Sequence, residues 1–270
     1  MTSSVEWKAT TSFKGWGIRA VEERRLYCWE LPSRRFWWRR LGDRFGVATE
    51  DPPFYTESDE KEVKVHWQPL YTRHRVDKLR ISPALPDGPV LLSLDEAIDL
   101  APGASTVLFA PVPVWVQLLD DRSDSSEPLR DLPTVEMDKA WFGSSTTRGV
   151  LCNFVSISNL CHKPEELECS HEIICPVRVK NGSQQTVKVS KVFLQVSSLS
   201  IFETDKGLWA DETIVTFTNE GEVDEVRVTG RPPYLAQGAK NVAQPRRQAG
   251  TVRAAIMHTF DMITKIGWWS

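Results

Sequence analysis

Short runs of β-branched and aromatic residues recur along the chain between clusters of Pro, Gly, Asp and Ser, a spacing that predicts strands rather than helices for most of its length. Residues 61–67 alternate cleanly, with Val63, Val65 and Trp67 on one face and Lys64 and His66 on the other, the mark of a half-buried strand. Strands are expected at 26–30, 36–40, 61–69, 77–81, 90–94 and 106–118. A second set follows at 149–156, 168–180, 186–196, 213–218 and 225–229. Alternation slips near Lys191, which predicts a β-bulge there. Asn181 and Gly182 stand between two β-rich runs and read as a hairpin turn, lengthened by Ser183 to Gln185.

The pattern breaks twice. At 120–133 Asp, Ser, Arg and Pro crowd together without periodicity, as in a linker or long loop. After Gly250, Thr251 can cap a helix, and Val252, Ile256, Phe260, Ile263 and Ile266 recur at spacings of three and four. Gly267 stops that helix and leaves Trp268 and Trp269 beyond it. The expected architecture is mainly β, with two β-sandwich domains of jelly-roll or Ig-like type. These occupy residues 1–120 and 138–236, joined by a linker at 121–137 and followed by a tail, 237–270, that carries an amphipathic helix at 251–266.

At 270 residues and 41% hydrophobic content the chain can build a sizeable core without a metal or disulfide to hold it. A net charge of −3 gives the whole molecule no reason to seek phosphate backbones or anionic lipid. No run approaches the roughly 20 apolar residues of a membrane helix, and residues 1–21 lack a signal-like apolar stretch. The expected location is the cytoplasm, where the five cysteines would stay reduced or hold a metal.

Seven arginines between Arg24 and Arg44 interleave with Tyr27, Trp29, Phe36, Trp37 and Trp38. Two readings compete. Arg34, Arg35, Arg39 and Arg40 with these rings can form a surface for proteins or nucleic acid, because arginines neutralise phosphates while bases stack on aromatics. Alternatively the rings enter a core and the arginines cover them with their stems and cation–π contacts. Nucleic acid is the weaker partner, since no basic stripe occurs elsewhere. Cys152, Cys161, His162, Cys169, His171 and Cys175 supply enough ligands for zinc, of which Cys161, His162, Cys169 and His171 are the candidate set. Their spacing lacks a C-x-x-C knuckle, and Cys169 and Cys175 on one strand would lie about 20 Å apart. Ordinary buried thiols are the competing explanation. Ile256, Phe260, Ile263, Trp268 and Trp269 offer a face for self-docking, a protein partner, a second copy or a membrane interface.

No nucleophile elbow, phosphate loop, dinucleotide fingerprint or paired-His metal motif is present. The leading expectation is therefore a non-enzymatic interaction protein. A metal-dependent or carbohydrate-active jelly-roll enzyme is the first rival, and a nucleic-acid binder the second.

Asp-Lys-Ala-Trp-Phe-Gly at 138–143, Cys-Pro-Val-Arg-Val-Lys-Asn at 175–181, Leu208 with Trp209, and Pro232 with Pro233 resemble an uncharacterised family of prokaryotic, mainly β proteins sharing a domain of unknown function. The resemblance implies no activity and no site residues. It also implies neighbourhood with mechanosensitive-channel proteins, hence an accessory role at the cytoplasmic side of a membrane channel.

Overall fold

The computed structural model describes residues 8–13, 15–54, 65–72, 75–122, 128–143, 149–157, 171–219 and 222–247. Within these residues the chain is mainly β, and its contacts divide it into two compact units. Residues 1–84 and 115–135 form the first; residues 85–114 and 136–270 form the second.

The first unit opens with β1 (Lys8–Phe13), β2 (Gly17–Ala20), β3 (Arg25–Leu31) and β4 (Arg34–Leu41). It continues with β5 (Arg44–Glu50), β6 (Gln68–Tyr71) and β7 (Lys78–Ala84). The chain then leaves for β8 (Val90–Leu100) and β9 (Ser105–Pro113) before returning as β10 (Trp115–Asp120) and β11 (Arg130–Pro133). A five-stranded sheet runs β1-β3-β4-β5-β6, and a four-stranded sheet runs β11-β10-β7-β2. Leu31 pairs with Arg34, so Pro32 and Ser33 close the β3–β4 hairpin in two residues. Leu41 pairs with Arg44, and Gly42 takes the left-handed φ of +63° that the next tight turn requires.

One face of each sheet feeds a single apolar cluster. Tyr27, Trp29, Phe36, Trp38, Phe45 and Val47 come from the five-stranded sheet; Leu79, Ile81, Val116, Leu118 and Leu132 come from the other. Cross-strand pairing puts Tyr27 opposite Trp38 and Trp29 opposite Phe36, and their rings meet at 5.8 and 5.7 Å between centroids. Such aromatic pairs add about 0.5–1.5 kcal/mol each beyond simple burial.

The second unit adds β12 (Lys139–Gly143), β13 (Gly149–Ile157), β14 (Glu172–Asn181), β15 (Val187–Leu194) and β16 (Ile201–Thr204). It ends with β17 (Gly207–Ala210), β18 (Thr213–Asn219), β19 (Glu222–Val228) and β20 (Lys240–Ala243). One sheet runs β12-β13-β8-β15; the other runs β19-β18-β14-β17-β16-β20, with β9 against β14. Along one edge β14 changes partner, from β17 at Ile173 and Ile174 to β18 from Val177 onward. Pro176, which has no N–H to give a ladder, falls in that gap.

Several expectations change here. The stretch 85–114 pairs with the second half of the chain rather than the first: β8 runs parallel to β13 and antiparallel to β15, and β9 pairs with β14 over nine residues. Residues 130–133 of the expected linker form β11 on β10. A cut made along the sequence cannot register a chain that passes between units and back. The turn at 181–185 also differs, because β14 and β15 belong to different sheets. Asn181 is buried, donating from Nδ2 to the carbonyls of Leu100 and Gln185 at 2.8 and 2.7 Å and accepting the Ser183 N–H at 2.9 Å. Gly182 keeps an ordinary φ and is required for closeness: a Cβ would sit 3.1 Å from the Phe217 carbonyl oxygen. The expected bulge does occur, as a register shift between Val189 and Lys191. The helix expected at 251–266 lies outside the described residues.

Candidate binding groove on the arginine and tryptophan sheet

Strand β4 reads Arg-Arg-Phe-Trp-Trp-Arg-Arg-Leu, and the two-residue period of a strand sorts it into two faces. Phe36 and Trp38 point into the main cluster, bracketed by Arg34 and Arg40 on the same face. Both arginines are nearly buried, and each is matched with acceptors. The Arg34 Nε donates to Asp51 at 2.6 Å and its Nη1 to the Pro133 carbonyl at 2.9 Å. Arg40 Nη1 donates to Asp77 at 3.0 Å. Asp77 also receives Arg75 at 2.7 Å and Arg122 at 2.9 Å, so three guanidiniums converge on one carboxylate. These bonds, led by that from Arg75, hold its carboxyl below the usual range.

On the opposite face stand Arg35, Trp37 and Arg39. Trp37 has no exposed surface; it packs with Leu26, Cys28 and Ala48 under Val65 and Trp67. Its indole N–H donates to Glu50 at 3.2 Å. Arg35 pairs with Glu30 at 2.7 Å and lies over the Phe54 ring at 4.3 Å. Arg39 lies over the Trp67 ring, 3.9 Å from its centroid, and burial pushes its guanidinium below its ordinary range. The sheet is thus apolar on both faces. Phe36, Trp37 and Trp38 are core, so neither bases nor a partner can stack on their rings, and of the two sequence readings the core one describes these three residues.

Among the described residues the covering ends beyond Arg39, and a groove of about 300 Å³ opens, lined by Arg39, Leu41, Arg44, Gly46, Trp67 and Pro69. Pairing across β4, β5 and β6 creates it: Arg39 faces Gly46, Leu41 faces Arg44, and Gly46 faces Pro69. Gly46 keeps the floor open, because a Cβ there would meet Trp67 at 3.3 Å. Tyr71, 86% exposed, stands opposite Arg44 in the β5–β6 pair. Strand β6 is the edge of its sheet, and Pro69 removes one ladder donor from it.

Sequence reasoning missed Arg44, Trp67 as a lid, and Tyr71. Gly46 and Ala48 interrupt the β5 pattern and hid that strand; Val65 and Trp67 share one cluster, but residues 65–67 of the expected strand are not in strand conformation, and β6 begins at Gln68. Cys161, His162, Cys169, Ile256, Phe260, Ile263, Trp268 and Trp269 lie outside the described residues. His171 precedes β14, and burial lowers its pKa. Cys28, Cys152 and Cys175 are buried; burial pushes the first two thiols up to about 12 and about 11, and the third higher still. Among the described residues no three His, Cys, Asp or Glu side chains are placed to hold a metal ion. Exposed apolar pairs also occur at Trp141 with Leu151 and at Tyr234 with Leu235.

These observations define a mainly β protein of several sheets, in which no described helix is long and apolar enough to cross a membrane. Its chain belongs to the family DUF432, described as a protein of unknown function, whose model matches residues 15–263. No curated protein and no solved structure matches it.

Proposed function

We propose that this chain is a non-enzymatic interaction protein, built from sandwich-like β units, that meets a protein partner through the groove beside Arg39 and Trp67. The observation that carries the reading is the groove itself. Two arginines and a tryptophan line one opening, a highly exposed tyrosine pairs with one of those arginines, and these three residue types dominate the energetic centres of protein interfaces. Supporting it, the other arginines of β4 are used within the fold, which moves any contact surface from the hairpin as a whole to this end of it.

A random peptide library selected on the full chain tests the reading. Selected peptides are expected to lose binding to the double variant Arg44→Glu, Tyr71→Ala, both exposed positions whose replacement leaves the core intact. Equal binding to that variant would move the contact elsewhere. The family resemblance makes the cytoplasmic part of a membrane channel the first natural partner to try. The zinc-dependent rival rests on Cys161, His162, Cys169 and His171, and elemental analysis of the purified chain decides it.

A further inference from the structure

Resting on the groove as a protein-contact surface, we propose that its occupant is an acidic residue next to an aromatic one in a partner's peptide segment. The carboxylate is taken by Arg44, exposed at the groove, and the ring by the apolar wall of Trp67, Leu41 and Pro69.

Charge comes first. Arg39 on β4 faces Gly46 of β5, and Arg44 stands two residues from Gly46 on the same face. Such diagonal neighbours lie about 7–8 Å apart at the backbone, so the positive charge of Arg39 adds to the attraction that Arg44 exerts on an anion. Arg39 lies over the Trp67 ring. An exposed guanidinium such as that of Arg44 presents an N–H fork that recognises carboxylates. Arg34, Arg35 and Arg40 show the same preference inside the fold, each bonding a carboxylate of this chain.

Size and shape follow. A groove near 300 Å³ sits at the lower bound of pockets for small ligands, roughly 300–1,000 Å³, so it admits one or two side chains. Pro69 withholds a ladder donor from β6, which disfavours recognition by adding a strand and leaves side-chain capture.

The test titrates the full chain with blocked hexapeptides that contain Asp-Phe, Asn-Phe, Asp-Ala or Lys-Phe at their centre, followed by calorimetry. The Asp-Phe peptide is expected to bind, at least about tenfold more tightly than the other three, because a charge-assisted contact to Arg exceeds a neutral one by that factor. Affinity should fall with added salt and fall about tenfold in Arg44→Ala, with partial recovery in Arg44→Lys. Equal affinity for Asp-Phe and Asn-Phe overturns the acidic occupant but leaves the contact surface standing. Binding indifferent to Arg44→Ala, with the variant folded, removes the groove reading as well. Absence of binding by every peptide while single-stranded oligonucleotide binds would assign the arginines to a polyanion and overturn the proposal.

Discussion

The guanidinium of Arg39 lies 3.9 Å from the centre of the Trp67 ring, and that pair closes the second face of a sheet whose first face already forms the main core. Truncating the lid should therefore be felt as core damage. Trp67→Ala is expected to destabilise the chain by roughly 2 kcal/mol, less than the 3–5 kcal/mol of a fully buried Trp because Trp67 is only half-buried. Arg39→Ala should lose about 1 kcal/mol from the stacked cation and its stem. Urea midpoints with unchanged slope check both values.

Cys28 reports on the same lid. It is fully buried beside Trp37, and its thiol is pushed up to about 12, so it should resist alkylation at neutral pH. In Trp67→Ala, labelling of Cys28 mapped by mass spectrometry should rise, while Cys175, in the other unit, stays protected. Equal protection of Cys28 in both proteins would mean that Trp67 does not cover it.

Much of this sheet was legible in the sequence, because Trp29, Phe36 and Trp38 obey the two-residue period of a half-buried strand. What periodicity could not supply was the second apolar face. With both faces covered, Trp37 is buried like its neighbours and Arg35 and Arg39 become part of the packing, so an apparent basic platform is in fact a core flanked by its own ion pairs. The groove was hidden for a related reason. It depends on Gly46 and Pro69 lying opposite each other, a register set by pairing between β5 and β6 that local pattern does not encode. The division of the chain escaped likewise, since β8 and β9 carry ordinary strand patterns and only their partners place them in the second unit.

Two aspartates should give stability opposite pH dependences. Asp77 is held below its ordinary 3.8 by the Arg75 hydrogen bond and the surrounding arginines, so its contribution is present above that value and lost as pH falls through the folded pKa. Asp211 is raised above 3.8 by burial, against the Ser200 N–H bond that lowers it. Its folded form favours the proton, so its contribution to stability is greatest below 3.8 and declines as pH rises through the folded pKa. Unfolding free energies measured from pH 2 to 8 should show Asp77→Asn flattening the acid limb and Asp211→Asn removing the decline at higher pH. The same change of slope in both variants would contradict the assignment.

Two glycines are fixed by closeness rather than by backbone conformation. A Cβ at Gly149 would lie 2.7 Å from the Phe142 carbonyl oxygen and from the Trp141 indole, whereas at Gly182 the nearest atom stands at 3.1 Å. Gly149→Ala should cost about 1–3 kcal/mol through forced shifts of β12, and Gly182→Ala less. Thermal unfolding of the two variants in parallel establishes the order; a reversed order would show that the β12–β13 pair yields more easily than the turn at 182.

The groove is tested most directly by nuclear magnetic resonance on the full chain, with the Asp-Phe peptide added stepwise. The account predicts shifts confined to the Trp67 indole N–H and the backbone amides of Arg44, Gly46 and Tyr71, while Trp37 and Trp38 stay unmoved. Shifts centred instead on Trp141 and Leu151, or on Tyr234 and Leu235, would contradict it.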